Sequence, residues 1–392
     1  MTAPSPVATE KGLRLTSAGI GLLVGSVVLG LVGWVLGLPE VVLPAVAGAA
    51  VLLLALAATA APLALDVGRR FRPGRVTVDA PAAGLLTFTS RSRLPLPGFV
   101  AIDRVGGRLL PLRVPGLSHQ GSVVVRSLLP TNRRGRLEMG PVRAERRDPL
   151  GLVVRWRSIG ATGVLWVRPR VHAADPLPTG VVVDLEGPLS DTAVEGTLTF
   201  SSLREYVPGD DLRRIHWPTT ARTGQLMVRT HVDTSLPRAT VVLDTRPEVW
   251  DTTRFEHGIE VAASLAEAFR RVGHTVDLRI VGEDRAAAAR LGAKTDLDRL
   301  TLAAIDDRGA GRELFGVIER SEGGGALVVV SGSSDGRLVA QVASQRRRHA
   351  PVVVVRLTDE GHPMSAVRSG VLEVVATTAT HAVGGWNREV HR

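Results

Sequence analysis

Two charge-free apolar runs, Thr16 to Leu38 and Val41 to Leu65, meet at the short turn Leu38-Pro39-Glu40. They constrain this chain more than any other feature. At about 1.5 Å of rise per residue, each run as a helix is longer than the roughly 30 Å hydrocarbon core of a bilayer. The expectation is a transmembrane hairpin over 16–65 behind a short tail, 1–15. A cleaved secretory signal is the competing reading, but the run is too long for one, a second span follows at once, and no convincing cleavage site is present. Lys11 and Arg14 precede the first span, and Arg69, Arg70, Arg72 and Arg75 follow the second. The turn between them has no basic residue. The positive-inside rule then puts both termini and the soluble body in the cytoplasm of a two-pass plasma-membrane protein. Gly21, Gly25, Gly33 and Gly37 keep a small-xxx-small spacing that lets helices approach, with the chain's own second span as the expected neighbour.

The chain has 392 residues, 44% of them hydrophobic, enough for two soluble domains once the hairpin is set aside. It has no cysteine, which excludes disulfides, thiolate nucleophiles and sulfur-based zinc sites. A net charge of +10 invites a nucleic-acid reading, yet lysine occurs only at Lys11 and Lys294, and an arginine bias this strong also fits a GC-rich genome. Aromatic residues are only 4% of the chain, too few for stacking platforms beside Arg133, Arg134, Arg136, Arg143, Arg146 and Arg147. No nucleic-acid partner is expected. The basic cluster next to the membrane suits anionic lipid headgroups instead.

From Val76 to about His172, short runs with period-two patterning alternate with turn residues: Val76 to Val78, Leu85 to Thr89, Phe99 to Val105, Gly121 to Ser127, Leu152 to Trp156 and Val164 to Val167. This predicts an antiparallel β-sandwich over 76–172, with an incomplete barrel as the alternative. Pro176 to Thr199, rich in proline, glycine and acids, reads as an extended link within a 173–237 segment that wraps the following domain. Beyond Arg238 apolar strands alternate with amphipathic helices. Strands are expected at Ala239–Asp244, Thr275–Val281, Ala326–Ser331, Val352–Leu357 and Leu372–Val375, with helices at Phe255–Val272 and Leu338–Arg348. That alternation predicts a three-layer α/β domain over 238–392 with a largely parallel, Rossmann-like sheet.

The densest cluster of chemistry-bearing residues is Leu203 to Arg229. Pro208-Gly209-Asp210-Asp211 is a turn in which proline presets φ and an aspartate can cap the next element. Arg204, Glu205, Arg213, Arg214 and Arg222 surround Tyr206 and Trp217, so guanidinium groups can pair with carboxylates or stack on rings. REYVPGDDLRRIHW, followed by Ala221-Arg222 and QLMVR, resembles the signature of the bacterial family known as domain of unknown function 58 (DUF 58). Asn132 to Val153, NRRGRLEMGPVRAERRDPLGLV, is similar to that family's upstream pattern of RRG, GP and DP-x-GL. The resemblance runs from about Val76 to the C-terminus. It implies a von Willebrand factor A-like domain in the C-terminal half and a MoxR-type AAA+ ATPase as partner.

A domain of that kind would carry a metal site opening with Asp-x-Ser-x-Ser at the end of its first strand, where oxygen ligands suit Mg²⁺. Here the segment reads Asp244-Thr245-Arg246-Pro247-Glu248, so a degenerate site is expected near Asp244, with no bound cofactor. At an effective dielectric near 20, a guanidinium about 4 Å from a divalent cation repels it by about 8 kcal/mol unless Arg246 turns outward. Asp335 lies later than a distal acidic ligand should, and its expected role is to cap a helix. An enzyme would have to use Asp210, Asp211, His216 and Asp244, but His216 stands where the family pattern has an aspartate. No phosphate-binding GxxxxGK[ST], H-E-x-x-H or GxSxG element is present.

The expected protein is thus a membrane-anchored, cytoplasm-facing interaction protein working with an AAA+ motor in complex assembly or envelope processes. A metal-dependent hydrolase built on the signature acids and an envelope scaffold without a motor are the alternatives.

Overall fold

A computed structural model describes residues 10–392 except 61–63, 72, 161, 178–197, 207–214, 234–236, 307–310, 334, 360 and 362. The chain divides into two compact units, Met1–Arg168 and Pro169–Arg392.

The first unit opens with strand β1 (Lys11–Leu15) and two long helices, α1 (Ser17–Leu36) and α2 (Pro39–Ala60). Both helices are long and apolar enough to cross a membrane, and only 11% and 17% of their apolar windows are buried. They end short of the predicted spans. Gly37 closes α1 at φ 65° and donates to the Gly33 and Trp34 carbonyls, and α2 gives way to strand β2 (Leu65–Phe71). Of the predicted small residues Gly33 alone meets the second helix, and Gly48 joins it from the other side. Gly33 meets Val42 and Gly48 meets Ser26, whereas Gly21 and Gly25 face open space.

Among the described residues this unit has eight further strands: β3 (Arg75–Thr77), β4 (Ala83–Ser90), β5 (Phe99–Val105), β6 (Arg108–Val114), β7 (Ser122–Leu128), β8 (Gly135–Arg147), β9 (Val153–Ile159) and β10 (Gly163–Arg168). One sheet has the order β1-β9-β8-β10-β3, with β5 also on β8 and β6 on β5; the other is β2-β4-β7. Alternating residues of both sheets, including Leu65, Leu86 and Phe88 on one and Phe99, Ala101 and Val142 on the other, form a shared core. Strand β8 serves two partners in succession: residues 135–139 pair with β10 and 142–147 with β9. Gly140, at φ 78°, sits where the partner changes. Arg69 and Asp103 lie 3% and 0% exposed and pair through two hydrogen bonds of 2.9 and 2.5 Å. Arg69, counted by sequence among the charges beside the membrane, is therefore spent inside the β body.

The second unit begins with a strap. Ala174 and Leu177 enter the core, the Trp386 indole donates to the Asp175 carbonyl at 2.6 Å, and Arg271 donates to the Ala174 carbonyl at 2.6 Å. A two-stranded ribbon follows, β11 (Leu198–Glu205) with β12 (Met227–Asp233), enclosing the short helix α3 (Trp217–Thr223). Six strands then form one sheet: β13 (Arg238–Leu243), β14 (Thr275–Ile280), β15 (Gly325–Ser331), β16 (His349–Leu357), β17 (Met364–Arg368) and β18 (Val371–Ala376), in the order β14-β13-β15-β16-β18-β17. All pairs are parallel except β17 with β18. The connections are α4 (Thr252–Arg271), α5 (Arg285–Arg290), α6 (Asp296–Leu302), α7 (Gly311–Glu319) and α8 (Gly336–Ser344), and α9 (Ala379–Val390) closes the chain.

Successive strand residues point to opposite faces, so one run of valines feeds two cores. Val241, Val328, Val353 and Val374 pack on α4 and α9, whereas Val242, Leu327, Val354 and Val371 pack on α7 and α8. Helices on both faces of a mostly parallel sheet make this a three-layer α/β unit.

Candidate functional site

The sheet order places β14 on one side of β13 and β15 on the other, so the topology reverses between β13 and β15. In open α/β sheets, ligands are bound in the crevice beyond the strand C-termini at such a point. Asp244, the first residue after β13, is fully buried there. Its oxygens are already engaged. Arg246 donates from Nε to Oδ1 and Oδ2 at 3.0 and 3.1 Å, from Nη2 to Oδ2 at 2.8 Å, and from its backbone N–H to Oδ1 at 3.1 Å. Ser331, at the end of β15, adds a hydroxyl donation to Oδ2 at 2.6 Å. The hydrogen bond to Asp244 raises the Arg246 pKa above its ordinary value, so the guanidinium stays charged.

The surrounding turn is equally committed. The Trp250 indole donates to the Asp244 carbonyl at 2.8 Å, and a Cβ on Gly332 would stand 2.0 Å from the Val249 carbonyl oxygen. The Ser331 hydroxyl also accepts from Ser333 N–H, the Ser333 hydroxyl accepts from Asp335 N–H, and the Asp335 carboxylate accepts from Arg337 N–H at the start of α8. Asp335 is thus a helix cap, as its position in the sequence suggests. A hard cation needs several free oxygens. The residues here do not fit one, because an internal guanidinium already sits on the carboxylate. Among the described residues no group of three or more His, Cys, Asp or Glu side chains could hold a metal.

Beside this point, beyond β14, a cavity of about 440 Å³ opens between α5 and α6, with Ile280, Ala288, Leu291 and Leu302 in its wall. Of the charged residues in its wall, Arg299 donates to Glu283 at 2.8 and 2.5 Å, and Asp284 accepts from the Ala287 N–H at 2.9 Å.

The signature segment is brought together only in part. Pro208, Gly209, Asp210, Asp211, Arg213 and Arg214 lie outside the described residues, as does the side chain of Arg204. Glu205 pairs with Met227 at the end of the ribbon, and the Tyr206 N–H donates to the Leu226 carbonyl at 2.8 Å. His216 caps α3: its carbonyl accepts from Thr219 and Thr220, and its Nδ1 lies 2.7 Å from the Thr219 hydroxyl. Gly224 closes the helix at φ 74°. Ala221 and Arg222 lie on the exposed outside of α3, and Trp217 is 64% exposed. The indole stands in solvent instead of packing against the α/β sheet.

A second constellation was not legible as one. Asp148, 5% exposed, accepts from the Leu150 and Val153 N–H groups at 2.9 and 2.6 Å and ties the DPLGL segment into a turn. The carbonyls of that turn hold the start of α1. The Thr16 hydroxyl donates to the Gly151 carbonyl at 2.7 Å, and the Thr16 N–H donates to the Leu152 carbonyl at 2.8 Å. The same hydroxyl accepts from Gly19 N–H as the helix cap. At the other root, Arg155 donates to the Thr59 carbonyl at 3.1 Å and to that of Ala60, the last residues of α2. Strand β1 pairs with β9 in between, Leu13 opposite Arg155 and Leu15 opposite Val153.

Residues 202–367 match the family described as Protein of unknown function DUF58. The chain carries a DUF58 domain. This match runs from the ribbon through α3 and the sheet as far as β17, and it leaves out the upstream DPLGL segment. No curated protein matches the chain. Among solved structures, the CARDB domain of the PF1109 protein from Pyrococcus furiosus is 16% identical over 26% of this chain and 91% of that one, with a TM-score of 0.20. The alkylpurine DNA glycosylase AlkC of Pseudomonas fluorescens is 14% identical over 30% of this chain and 34% of that one, with a TM-score of 0.21. Red sea bream transglutaminase is 17% identical over 27% and 15%, with a TM-score of 0.21. Scores this low carry no argument about the DUF58 domain or the β unit.

Proposed function

We propose that this chain is a membrane-anchored interaction protein whose hairpin crosses the plasma membrane twice and whose β unit and DUF58 domain lie in the cytoplasm. The DUF58 domain, with a von Willebrand factor A-like sheet, acts as an adaptor for a protein partner. A MoxR-type AAA+ ATPase is the partner that the family resemblance implies. Membrane anchoring is supported by the largely exposed apolar surface of α1 and α2. The two-pass topology is supported by β1 and β2, which flank the hairpin and belong to one folded unit, since both ends must then be on one side of a bilayer. The cytoplasmic orientation rests on the basic flanks.

The adaptor role rests on one observation, the exposure of Trp217 on a helix of the family signature. Exposed tryptophans beside arginines are the residues that most often carry binding energy at protein interfaces. A catalytic role draws no comparable support, because Asp244 is held by Arg246 and the His216 Nδ1 is engaged with the Thr219 hydroxyl. Crosslinked pull-down from membranes tests the adaptor reading. Trp217→Ala should lose partner capture while melting stays within about a degree, since α3 has no buried residue. Capture equal to wild type would remove Trp217 as the docking residue. Absence of any ATPase in the wild-type capture would leave the envelope scaffold.

A further inference from the structure

Two of the most exposed leucines of the β unit stand at the roots of the hairpin. Leu150, 65% exposed, is at the tip of the turn whose next two carbonyls hold Thr16 at the start of α1. Asp148 draws the backbone of this turn inward, and that leaves Pro149 and Leu150 outside. Leu94, 72% exposed, is at the tip of a turn that starts where the Arg91 N–H donates at 2.8 Å to the Ala64 carbonyl, four residues beyond the end of α2. That turn is also shaped from within: Ser92 accepts from Leu94 N–H, and His119 lies 2.9 Å from the Ser92 carbonyl.

Exposed cations flank both tips: Arg147 beside Leu150, Arg93 beside Leu94, and Arg14 beside the start of α1. Arg91 is paired with Asp66 and contributes less. Side chains of this kind, apolar tips bracketed by arginine and lysine, partition into the headgroup layer of anionic membranes. We infer that the Leu94 and Leu150 turns form a second, peripheral membrane contact that seats the β unit on the anionic surface of the bilayer its hairpin crosses. The occupant is the bilayer because one turn is hydrogen-bonded to the first residue before α1 and the other to Ala64, four residues after α2, the two helices that would cross it. This inference rests on the membrane reading above.

The absence of native cysteine makes single-cysteine labelling of the full chain direct. Leu94→Cys and Leu150→Cys would carry an environment-sensitive fluorophore in vesicles of phosphatidylcholine with phosphatidylglycerol. Val27→Cys, mid-way along α1 and 61% exposed, is the lipid reference. Leu128→Cys is the aqueous reference: it is 74% exposed and pairs with Ala83, at the opposite end of its sheet from Leu65. Quenching by a shallow lipid-borne quencher should be at least twofold stronger at Leu94 and Leu150 than at Leu128, and should fall in vesicles of phosphatidylcholine alone. Quenching at both turns equal to Leu128, with Val27 in lipid, would overturn the contact while leaving the hairpin in place. Quenching independent of anionic lipid would overturn the headgroup preference. If Val27 itself behaved as aqueous, the membrane reading and this contact would fall together.

Discussion

Arg246 lies against Asp244 with three side-chain hydrogen bonds between 2.8 and 3.1 Å, so the only buried carboxylate at the topological reversal of the sheet, among the described residues, has a cation supplied by its own chain. Removing that cation strands a charge that has lost water. Arg246→Ala is expected to cost about 3–5 kcal/mol of domain stability, measured by denaturant unfolding. Calorimetric titration of the wild-type protein with Mg²⁺ should give no binding heat. Micromolar binding that disappears in Asp244→Ala would show that the guanidinium swings aside to admit a metal.

Inside the β unit, Arg69 and Asp103 allow a sharper test of what a buried ion pair does. Either Arg69→Ala or Asp103→Ala should lose about 3–5 kcal/mol, whereas replacing both with apolar residues of similar volume should come close to neutral. A double substitution as damaging as the singles would mean that the pair is itself a net source of stability.

The hairpin roots predict two effects of different size. Thr16→Val removes a cap and its bond to Gly151, which should cost about 1 kcal/mol. Gly19→Ala should do more harm, because its Cβ would lie 2.2 Å from the Leu152 carbonyl oxygen and the helix would have to move off the turn. Limited proteolysis at the DPLGL turn in detergent should be faster in Gly19→Ala than in Thr16→Val; equal rates would mean that the turn is held by β1 alone.

Burial pushes the His349 pKa below its ordinary value, and the neighbouring Arg348 and Arg279 add to this against the opposing hydrogen bond to the Gly325 carbonyl. The unfolded chain therefore takes up a proton more readily than the folded one. Stability from this histidine is full above about pH 6.5 and is lost as pH falls below that value toward the folded one. Denaturation midpoints at pH 7.5 and 5.5 should differ less in His349→Gln than in the wild type. An unchanged difference would assign the acid sensitivity to other groups, such as His274, which burial shifts the same way.

Much of the α/β sheet was legible because its strands are short, mostly valine-rich runs between amphipathic helices: all five predicted strands, such as Ala326 to Ser331, coincide with observed ones. Strand β17 was not, since Met364–Arg368 is short and has no buried residue at the sheet edge. In the β unit the alternating runs at β4 and β5 were plain, but β8 hides its pattern under GRLEMGPVRAERR, where the buried Met139, Val142 and Ala144 are interspersed with charged residues and interrupted by Gly140-Pro141. At the candidate site, Asp244 and Asp335 could be named from sequence. Whether Arg246 turned outward or onto Asp244 could not, because the surroundings of that carboxylate include Ser331, which lies 87 residues away. The DPLGL turn was recognisable as a motif but not as the seat of α1, whose contacts with it span 135 residues.

The pairing of β1 with β9 bears on how the chain is made. Lys11 to Leu15 emerges before the hairpin, yet its partner, Val153 to Arg157, is synthesised only after nearly the whole β unit. Until then β1 waits as an unpaired ribbon at the mouth of α1. Proteolytic removal of that ribbon would leave the hairpin intact but would expose β9 as an open sheet edge, a ready template for unwanted strand pairing between copies. The five residues of β1, Lys11–Leu15, thus act as a selvage that keeps the β unit from fraying into its neighbours.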